Sequence, residues 1–509
     1  MKHREKLLPT LPGLAIGLLF ASVPSPSAVG QTPDDAGDAL VAAMLGETPL
    51  LEDLRYLTDE IGGRPTGSAA NERAVEWAME RFGSAGVSAA TEAYEMPAFW
   101  LELSAAARIG TPDGDVSFEP RIAAMPFSPG TVGPDGTGLT APLVDSGRGT
   151  EEDFHRLGQQ AAGAWALVET DPLLDLTRLL ADYANNAAIE KRALAAGVAG
   201  VAYVAAREGD LLYRHNASTG PETDRPMIVI ERDAGLRALR LLRFGHELQL
   251  VAHLEIDSGP AYVAHNVIGE IRGSERPEEF VVMGAHIDSW ALGTGALDNG
   301  CNVVMLIDIA RQMKRLGMTP KRTIRFALHN GEEQIFRGSH AYTLAHADEL
   351  DRHVMASSFD AGSGRITGFF TGGRAELVRA ADRALAAVSD LGPFNHLDIP
   401  LVGTDNYDFM MQGVGNLVAI QDSANYGPNY HASSDTFDKV DKDQLKKNSA
   451  IVAAVAWGFA NMDVDWERQS RAQLENLIAR TDLEQQMRSF GVWQAWQDGS
   501  RGRSRPAVE

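Results

Sequence analysis

The sequence is poor in cysteine, in basic residues and in long apolar stretches. Its single cysteine, Cys301, can form neither a disulfide within the chain nor a thiolate-rich zinc site, so a bound metal would need histidine and carboxylate ligands. Lysine and arginine number 46 against 69 aspartate and glutamate residues, a formal net charge of −23. Because so acidic a chain repels phosphate backbones, we expect no nucleic acid among its partners.

The N-terminal 30 residues are predicted to be an export signal. Basic residues precede an apolar stretch at 7–23, and small residues at 28–30 suit a signal peptidase, so Gln31 would start the mature chain. The alternative is a membrane-spanning helix, but the stretch contains two prolines and is shorter than the roughly 20 residues that a span needs. We therefore expect a periplasmic or secreted protein with no stable membrane span once the signal is removed.

The length of 509 residues indicates two or three domains. Residues 125–259 are rich in glycine, proline and short apolar strands, and they contain no nucleophile, no metal-spaced cluster and no phosphate loop. We interpret them as an inserted β-rich module. It separates two segments of one larger domain, residues 31–124 and 260–465. Residues 466–509 are predicted to form a helical extension that ends in a disordered tail at 501–505.

Apolar strands and helices alternate over residues 260–465, which predicts an α/β fold with a mostly parallel mixed sheet flanked by helices. In such sheets the chemistry lies at the carboxyl ends of the strands. Histidine, aspartate or glutamate occurs there in four segments. The segments are 284–300, 329–333, 359–362 and 429–436.

Each of these segments is weak evidence alone, because a single strand-end aspartate is more often a helix cap or a turn residue than a ligand. Together they place two histidines and three carboxylates at one edge of the sheet, a set that suits zinc. Two divalent ions about 3.5–4 Å apart need a carboxylate between them, and a water that they share ionises near neutral pH. The adjacent Glu332 and Glu333 would supply one carboxylate for a metal and one for the proton of that water.

These motifs, in this order, resemble those of the di-zinc peptidase family that includes bacterial secreted aminopeptidases, carboxypeptidase Q and glutamate carboxypeptidase. The resemblance covers most of the mature chain, and the middle stretch resembles a protease-associated domain. The motifs are the segment 266–273 leading into 284–289, Asp298-Asn299-Gly300, Glu332-Glu333-Gln334, the strand before Asp360, and Tyr430-His431 with Asp435-Thr436.

The resemblance implies a zinc exopeptidase fold and two Zn²⁺ ions. It assigns His286 and Asp360 to one ion, Glu333 and His431 to the other, and Asp298 to a bridging position between them. It also implies a cis peptide bond after Asp298. The remaining eleven histidines are interpreted as ordinary surface or core residues.

Three further residues take catalytic roles by the same resemblance. Glu332 would be the general base, Asp288 would orient His286 from behind, and Tyr430 would help to hold the tetrahedral oxyanion. The expected reaction is hydrolysis of a peptide or dipeptide near a free terminus, by a metal-bridged hydroxide. Whether the chain is an aminopeptidase, a carboxypeptidase or a dipeptidase is left open, and so is a homodimer.

Two other functions are compatible with this fold. One is a single-zinc glutaminyl cyclase, and the other is a non-catalytic receptor-like or binding protein. The complete set of five ligands argues against the first, and the presence of a base together with every ligand argues against the second.

Overall fold

The computed structural model describes residues 33–173, 179–209, 211–214 and 224–504. The predicted export signal and the mature start at Gln31 lie outside the described residues. None of the helices in this part of the chain combines the length and the apolar character that crossing a bilayer requires.

Helices and strands alternate along the described chain. The helices are α1 (Pro33–Leu45), α2 (Leu50–Arg55), α3 (Ala69–Ser84), α4 (Glu151–Leu157), α5 (Leu179–Ala195), α6 (Arg232–Arg243), α7 (Cys301–Arg315), α8 (Arg337–Ala345), α9 (Ala375–Ala384), α10 (Asn406–Met411), α11 (Tyr426–Asn429), α12 (Lys442–Asn461), α13 (Arg471–Arg480), α14 (Leu483–Ser489) and α15 (Trp493–Asp498). The strands are β1 (Ser88–Met96), β2 (Phe99–Gly110), β3 (Ser117–Phe118), β4 (Ile122–Ala124), β5 (Leu139–Asp145), β6 (Trp165–Val168), β7 (Gly200–Val204), β8 (Met227–Ile230), β9 (Leu248–Gly259), β10 (Tyr262–Ile271), β11 (Arg276–His286), β12 (Arg322–His329), β13 (His353–Ser358), β14 (Ile366–Phe370) and β15 (Asn416–Gln421).

The first sheet has the strand order β1-β10-β12-β11-β13-β15-β14. Its four central neighbours, β12, β11, β13 and β15, run parallel, whereas the outer strands pair antiparallel. The predicted mixed α/β sheet flanked by helices is therefore confirmed, with the parallel part confined to the centre. The carboxyl ends of these central strands all lie at one edge.

Both faces of the first sheet are covered at its centre, which explains the long apolar run of β11. Val281 and Met283 of β11 belong to the large core cluster that also includes α7 and α12. Val282 points to the other face and packs in a cluster with Tyr342 of α8 and Phe409 of α10. Alternate residues of one strand are thus buried on opposite sides, and the strand is held rigidly up to its end at His286.

The second sheet is inserted between two paired strands of the first. Its order is β3-β2-β9-β5-β6-β7-β8-β4. The chain leaves the first sheet at Met96 and returns at Tyr262, and these two residues lie opposite each other in the β1–β10 pair. The second sheet begins at Phe99, ahead of residue 125, because β2 pairs along the length of β9. Its likeness to a protease-associated domain stays a prediction.

The end of the described chain is ordered, and the predicted disordered tail is wrong for residues 501–504. Arg501 is 7% exposed, and its guanidinium donates hydrogen bonds to the carboxylate of Asp408 at 2.8 and 2.7 Å. A short basic run with glycine and serine is typical of a solvated tail. Here, however, its first arginine forms an ion pair with the buried Asp408 of α10.

Candidate metal centre

The predicted site residues lie where the central strands end. β11 ends at His286, and β12 ends at His329, directly opposite His286 in the parallel pair. The turn that carries Glu332 follows β12, and Asp360 follows β13 by two residues. The rule that parallel strands deliver chemistry at their carboxyl ends thus describes this edge.

Five side chains meet at this edge, and they are the five predicted metal ligands. Nε2 of His286 lies 3.1 Å from Oδ1 of Asp298 and 3.0 Å from Oδ1 of Asp360. Nε2 of His431 lies 2.9 Å from Oε2 of Glu333 and 3.3 Å from Oδ2 of Asp298. Each carboxylate oxygen of Asp298 therefore faces a different histidine, with one further carboxylate beside each ring.

Asp435 holds the backbone that carries Asp298. Its Oδ1 accepts hydrogen bonds from the amides of Ala296 and Leu297 at 3.1 and 2.7 Å, and its Oδ2 accepts from the amide of Asp298 at 3.1 Å. The peptide bond from Asp298 to Asn299 is cis, as the resemblance implied. In the sequence, Asp435 is part of a motif, but no role could be predicted for it.

Replacing Asp435 by alanine should weaken metal binding by about 10- to 100-fold, because three buried amides lose their acceptor and the Asp298 loop loses its support. Competition with a chromogenic chelator measures this affinity. The matched control is Asp438→Ala, which removes an exposed acid from the same loop. Equal affinities for the two variants would contradict a positioning role for Asp435.

Asp288 supports the two adjacent glutamates. Its carboxylate accepts hydrogen bonds from the amides of Glu332 and Glu333, both at 3.3 Å, and from the hydroxyl of Thr66 at 3.0 Å. The ring of His286 contacts the backbone carbonyl oxygen of Asp288 at 3.0 Å, closer than the 3.6 Å to its carboxylate. The contacts therefore favour a broader positioning role than the orientation of His286 alone.

Arg64 was missed at the sequence level, where the glycine- and proline-rich turn around it looked like a simple loop. Its guanidinium is buried and donates hydrogen bonds to carbonyl oxygens of Ile287, Thr294 and Gly295, at 2.9, 2.8 and 3.0 Å. Burial lowers the pKa of Arg64 to about 10. This cation ties the end of β11 to the loop that leads to Asp298.

The loop after Glu333 has a strained backbone. Ile335 and Phe336 adopt left-handed conformations with φ of 70° and 58°, which is rare for bulky and β-branched residues. Nη2 of Arg501 donates to the carbonyl oxygens of these two residues, at 3.3 and 3.2 Å. The C-terminal segment therefore stabilises the conformation that presents Glu332 and Glu333.

The second sheet holds the loop of Tyr430 and His431. The amide of Arg214 donates to the carbonyl oxygen of His431 at 2.9 Å, and Nη2 of Arg207 donates to that of Tyr430 at 2.6 Å. The hydroxyl of Tyr430 forms a hydrogen bond of 2.5 Å with the hydroxyl of Tyr183. The described residues of the inserted module thus include none of the five predicted ligands, but they position one of them, His431.

The electrostatics of this edge favour cations. Burial raises the pKa of Glu333 to about 7 and raises the pKa of Glu332 well above its usual range. Burial opposes the protonation of His431, yet Glu333 and Asp298 raise its pKa to about 9. Glu333 Oε1 is buried without a hydrogen-bond donor among the described residues, and Asp298 Oδ2 has only the ring of His431 nearby, at 3.3 Å and without good hydrogen-bond geometry. The carboxylates of Asp298, Glu332, Glu333 and Asp360 lie close together, and bound positive charge stabilises such a group.

A cavity of about 390 Å³ adjoins the centre. Asp298, Glu332, Asp360 and His431 line part of it. The rest of its wall is mostly apolar, with a few polar side chains such as Thr404 and Gln421, and its apolar residues include Phe370, Leu401, Val402, Val418, Ile420 and Phe490. Its volume and lining suit a small ligand that is largely apolar.

Comparisons with known proteins agree with this geometry. Residues 266–456 match the family described as Peptidase family M28. Human carboxypeptidase Q is 26% identical over 423 residues, which cover 81% of this chain and 85% of that protein. A probable lipoprotein aminopeptidase of Mycobacterium tuberculosis is also 26% identical, with 81% of this chain and 83% of that protein covered.

Two solved structures share the fold. A Peptidase M28 precursor from Shewanella amazonensis superimposes with a TM-score of 0.76 at 24% identity, and the match covers 86% of this chain and 99% of that one. A zinc aminopeptidase from Bacillus subtilis gives a TM-score of 0.64 at 21% identity, with 81% and 95% covered.

Proposed function

We propose that the chain is a metallo-exopeptidase, in keeping with its similarity to Peptidase family M28 over residues 266–456, and that five of its side chains hold two zinc ions at the carboxyl edge of the first sheet. The observation that carries this proposal is the position of Asp298, with one oxygen beside His286 and the other beside His431. A carboxylate in that position suits two neighbouring cations.

The donor set fits zinc. It consists of imidazole and carboxylate groups only, and it includes the buried Oε1 of Glu333, which lacks a donor among the described residues. We assign His286 and Asp360 to one ion, Glu333 and His431 to the other, and Asp298 to both. When bound, the ions would supply Lewis acidity to the scissile carbonyl and lower the pKa of water.

Glu332 is proposed to move the proton in this reaction. Its side chain is buried, lines the apolar cavity and groups with His286 and Asp360. It can accept a proton from the attacking water and return it to the leaving amine. Tyr430 also lines this cavity, and its hydroxyl, which bonds to that of Tyr183, is proposed to donate a hydrogen bond to the oxyanion of the substrate.

A panel of aminoacyl, dipeptide and longer peptide substrates tests the function. Purified protein should hydrolyse at least one class of them next to a free terminus, lose activity with a chelator and regain it with zinc. Activity that is insensitive to the chelator, or no hydrolysis in the presence of zinc, would contradict the proposal. A content of one ion per chain with cyclisation of N-terminal glutamine would favour the glutaminyl cyclase instead.

We also propose that the chain is exported, from the signal predicted in residues 1–30. Protein recovered outside the cytoplasm should begin at Gln31 when its N-terminus is sequenced. Recovery of protein that begins at Met1 from the cytoplasm alone would contradict export. A homodimer stays a prediction.

A further inference from the structure

Arg337, the first residue of α8, is a half-buried cation without an acidic partner among the described residues. Its Nε donates to the carbonyl oxygen of Gln334 at 3.1 Å. The nearby Arg501, in contrast, is paired with Asp408 at 2.7 Å. Burial lowers the pKa of Arg337 and the neighbouring Arg501 lowers it further, whereas Asp408, which is in contact with Arg501, partly offsets this. A partly desolvated guanidinium with no carboxylate in direct contact is stabilised by a ligand that supplies one.

Arg337 lines a second cavity, of about 410 Å³, which also reaches the proposed metal ligand Glu333. This cavity and the apolar one share Tyr183, Ile335 and Phe490 as wall residues. Asp298, Asp360 and His431 line the apolar cavity and Glu333 lines the second one, so the proposed metal centre borders both. A short peptide bound across this point would place one residue in the apolar cavity and the next residue towards Arg337.

We propose that Arg337 binds a carboxylate of the substrate, in the residue on the far side of the scissile bond from the apolar cavity. The carboxylate is either the free C-terminal group or an acidic side chain. A guanidinium matches a carboxylate with two parallel hydrogen bonds, and the same charge repels a substrate ammonium group. This assignment rests on the proposed peptidase function and narrows it to substrates that carry a carboxylate beside the cleaved bond.

Three related substrates test the assignment: Leu-Ala, its C-terminal amide, and the amide of Leu-Asp. The wild-type protein should cleave Leu-Ala with a kcat/KM about 10- to 100-fold above that of Leu-Ala amide, mainly through KM. Arg337→Gln should bring this ratio close to one, and Arg337→Lys should restore part of it. The matched control is Arg272→Gln, which changes an exposed arginine in the loop between β10 and β11 and should keep the wild-type ratio.

The amide of Leu-Asp identifies the source of the carboxylate. If it is cleaved as well as Leu-Ala, and this depends on Arg337, the cavity accepts an acidic side chain; if it is cleaved as poorly as Leu-Ala amide, the cavity selects the C-terminal group. The assignment would be overturned if the wild type cleaved neither Leu-Ala nor the amide of Leu-Asp better than Leu-Ala amide, or if Arg337→Gln kept the wild-type preference.

Binding without turnover gives a second measurement. In the Glu332→Gln background, calorimetry should find that Leu-Ala binds more tightly than its amide and that Arg337→Gln removes this difference. If the parent variant binds Leu-Ala, the amide of Leu-Asp and Leu-Ala amide with equal affinity, the assignment is overturned, even if Arg337→Gln proves poorly folded. Hydrolysis without a carboxylate preference would contradict the role of Arg337 alone, whereas no hydrolysis of any peptide would contradict the peptidase function.

Discussion

Replacing Glu332 by glutamine should lower kcat by about three orders of magnitude while both metal ions stay bound. Glutamine has the same shape as glutamate but cannot act as a general base, and the five proposed metal ligands are unchanged. The amide of residue 332 would still donate to Asp288, so the turn should keep its conformation. The measurements are kcat on a cleaved dipeptide and the metal content of the purified variant.

The neighbouring Glu333 provides the matched comparison. Its carboxylate lies 2.9 Å from the ring of His431, so Glu333→Gln should lose metal from that site and lose activity for that reason. Two adjacent and chemically identical substitutions would then differ in metal content. Activity of Glu332→Gln within a few-fold of the wild type, or equal metal loss in both variants, would contradict the division of roles between them.

Replacing Asp298 by alanine should have the largest effect on metal binding. Without a carboxylate between them, two divalent cations about 3.5–4 Å apart repel each other strongly, and each also loses a ligand. We expect the metal content to fall to one ion or none and kcat/KM to fall more than about 1,000-fold. The loss should exceed that of any variant outside the five proposed ligands and Glu332.

A measurement independent of activity follows from the linkage of binding to stability. Zinc that binds only the folded protein raises its melting temperature, so the wild type should show a zinc-dependent rise that Asp298→Ala largely lacks. Asp257→Ala, which removes an exposed acid on β9, should show the full rise. If Asp298→Ala rises as much as the wild type, Asp298 does not bind the ions.

The sequence was most informative about the residues at the strand ends. The central strands contain apolar runs, so their positions along the chain and the places where they stop could be predicted, whereas their order in the sheet was not. Since parallel strands end at one edge, His286 and Asp360 were expected to be neighbours although they are far apart in the chain. The structure brings them to 3.0 Å.

The residues that support this edge left no comparable pattern. Arg64 and Arg501 act on backbone carbonyl oxygens, and Asp435 acts on backbone amides, so none of them needs a partner of a particular residue type. Such contacts depend on the path of the loops, which spacing does not specify. For Arg501 the local composition was misleading, because its partner Asp408 belongs to a distant helix.

The arrangement of Arg337 was equally hidden. A lone arginine at the start of a helix is usually a solvated surface residue. What distinguishes Arg337 is a cavity wall assembled from distant segments and the lack of an acidic partner among the described residues, and both are properties of the fold.

The central claim is that two cations lie between His286 and His431, with Asp298 shared. Crystals grown with zinc allow a direct test by anomalous diffraction at the zinc edge. We predict two peaks about 3.5–4 Å apart, one beside His286 and Asp360 and the other beside Glu333 and His431. A single peak, or peaks away from Asp298, would contradict the account.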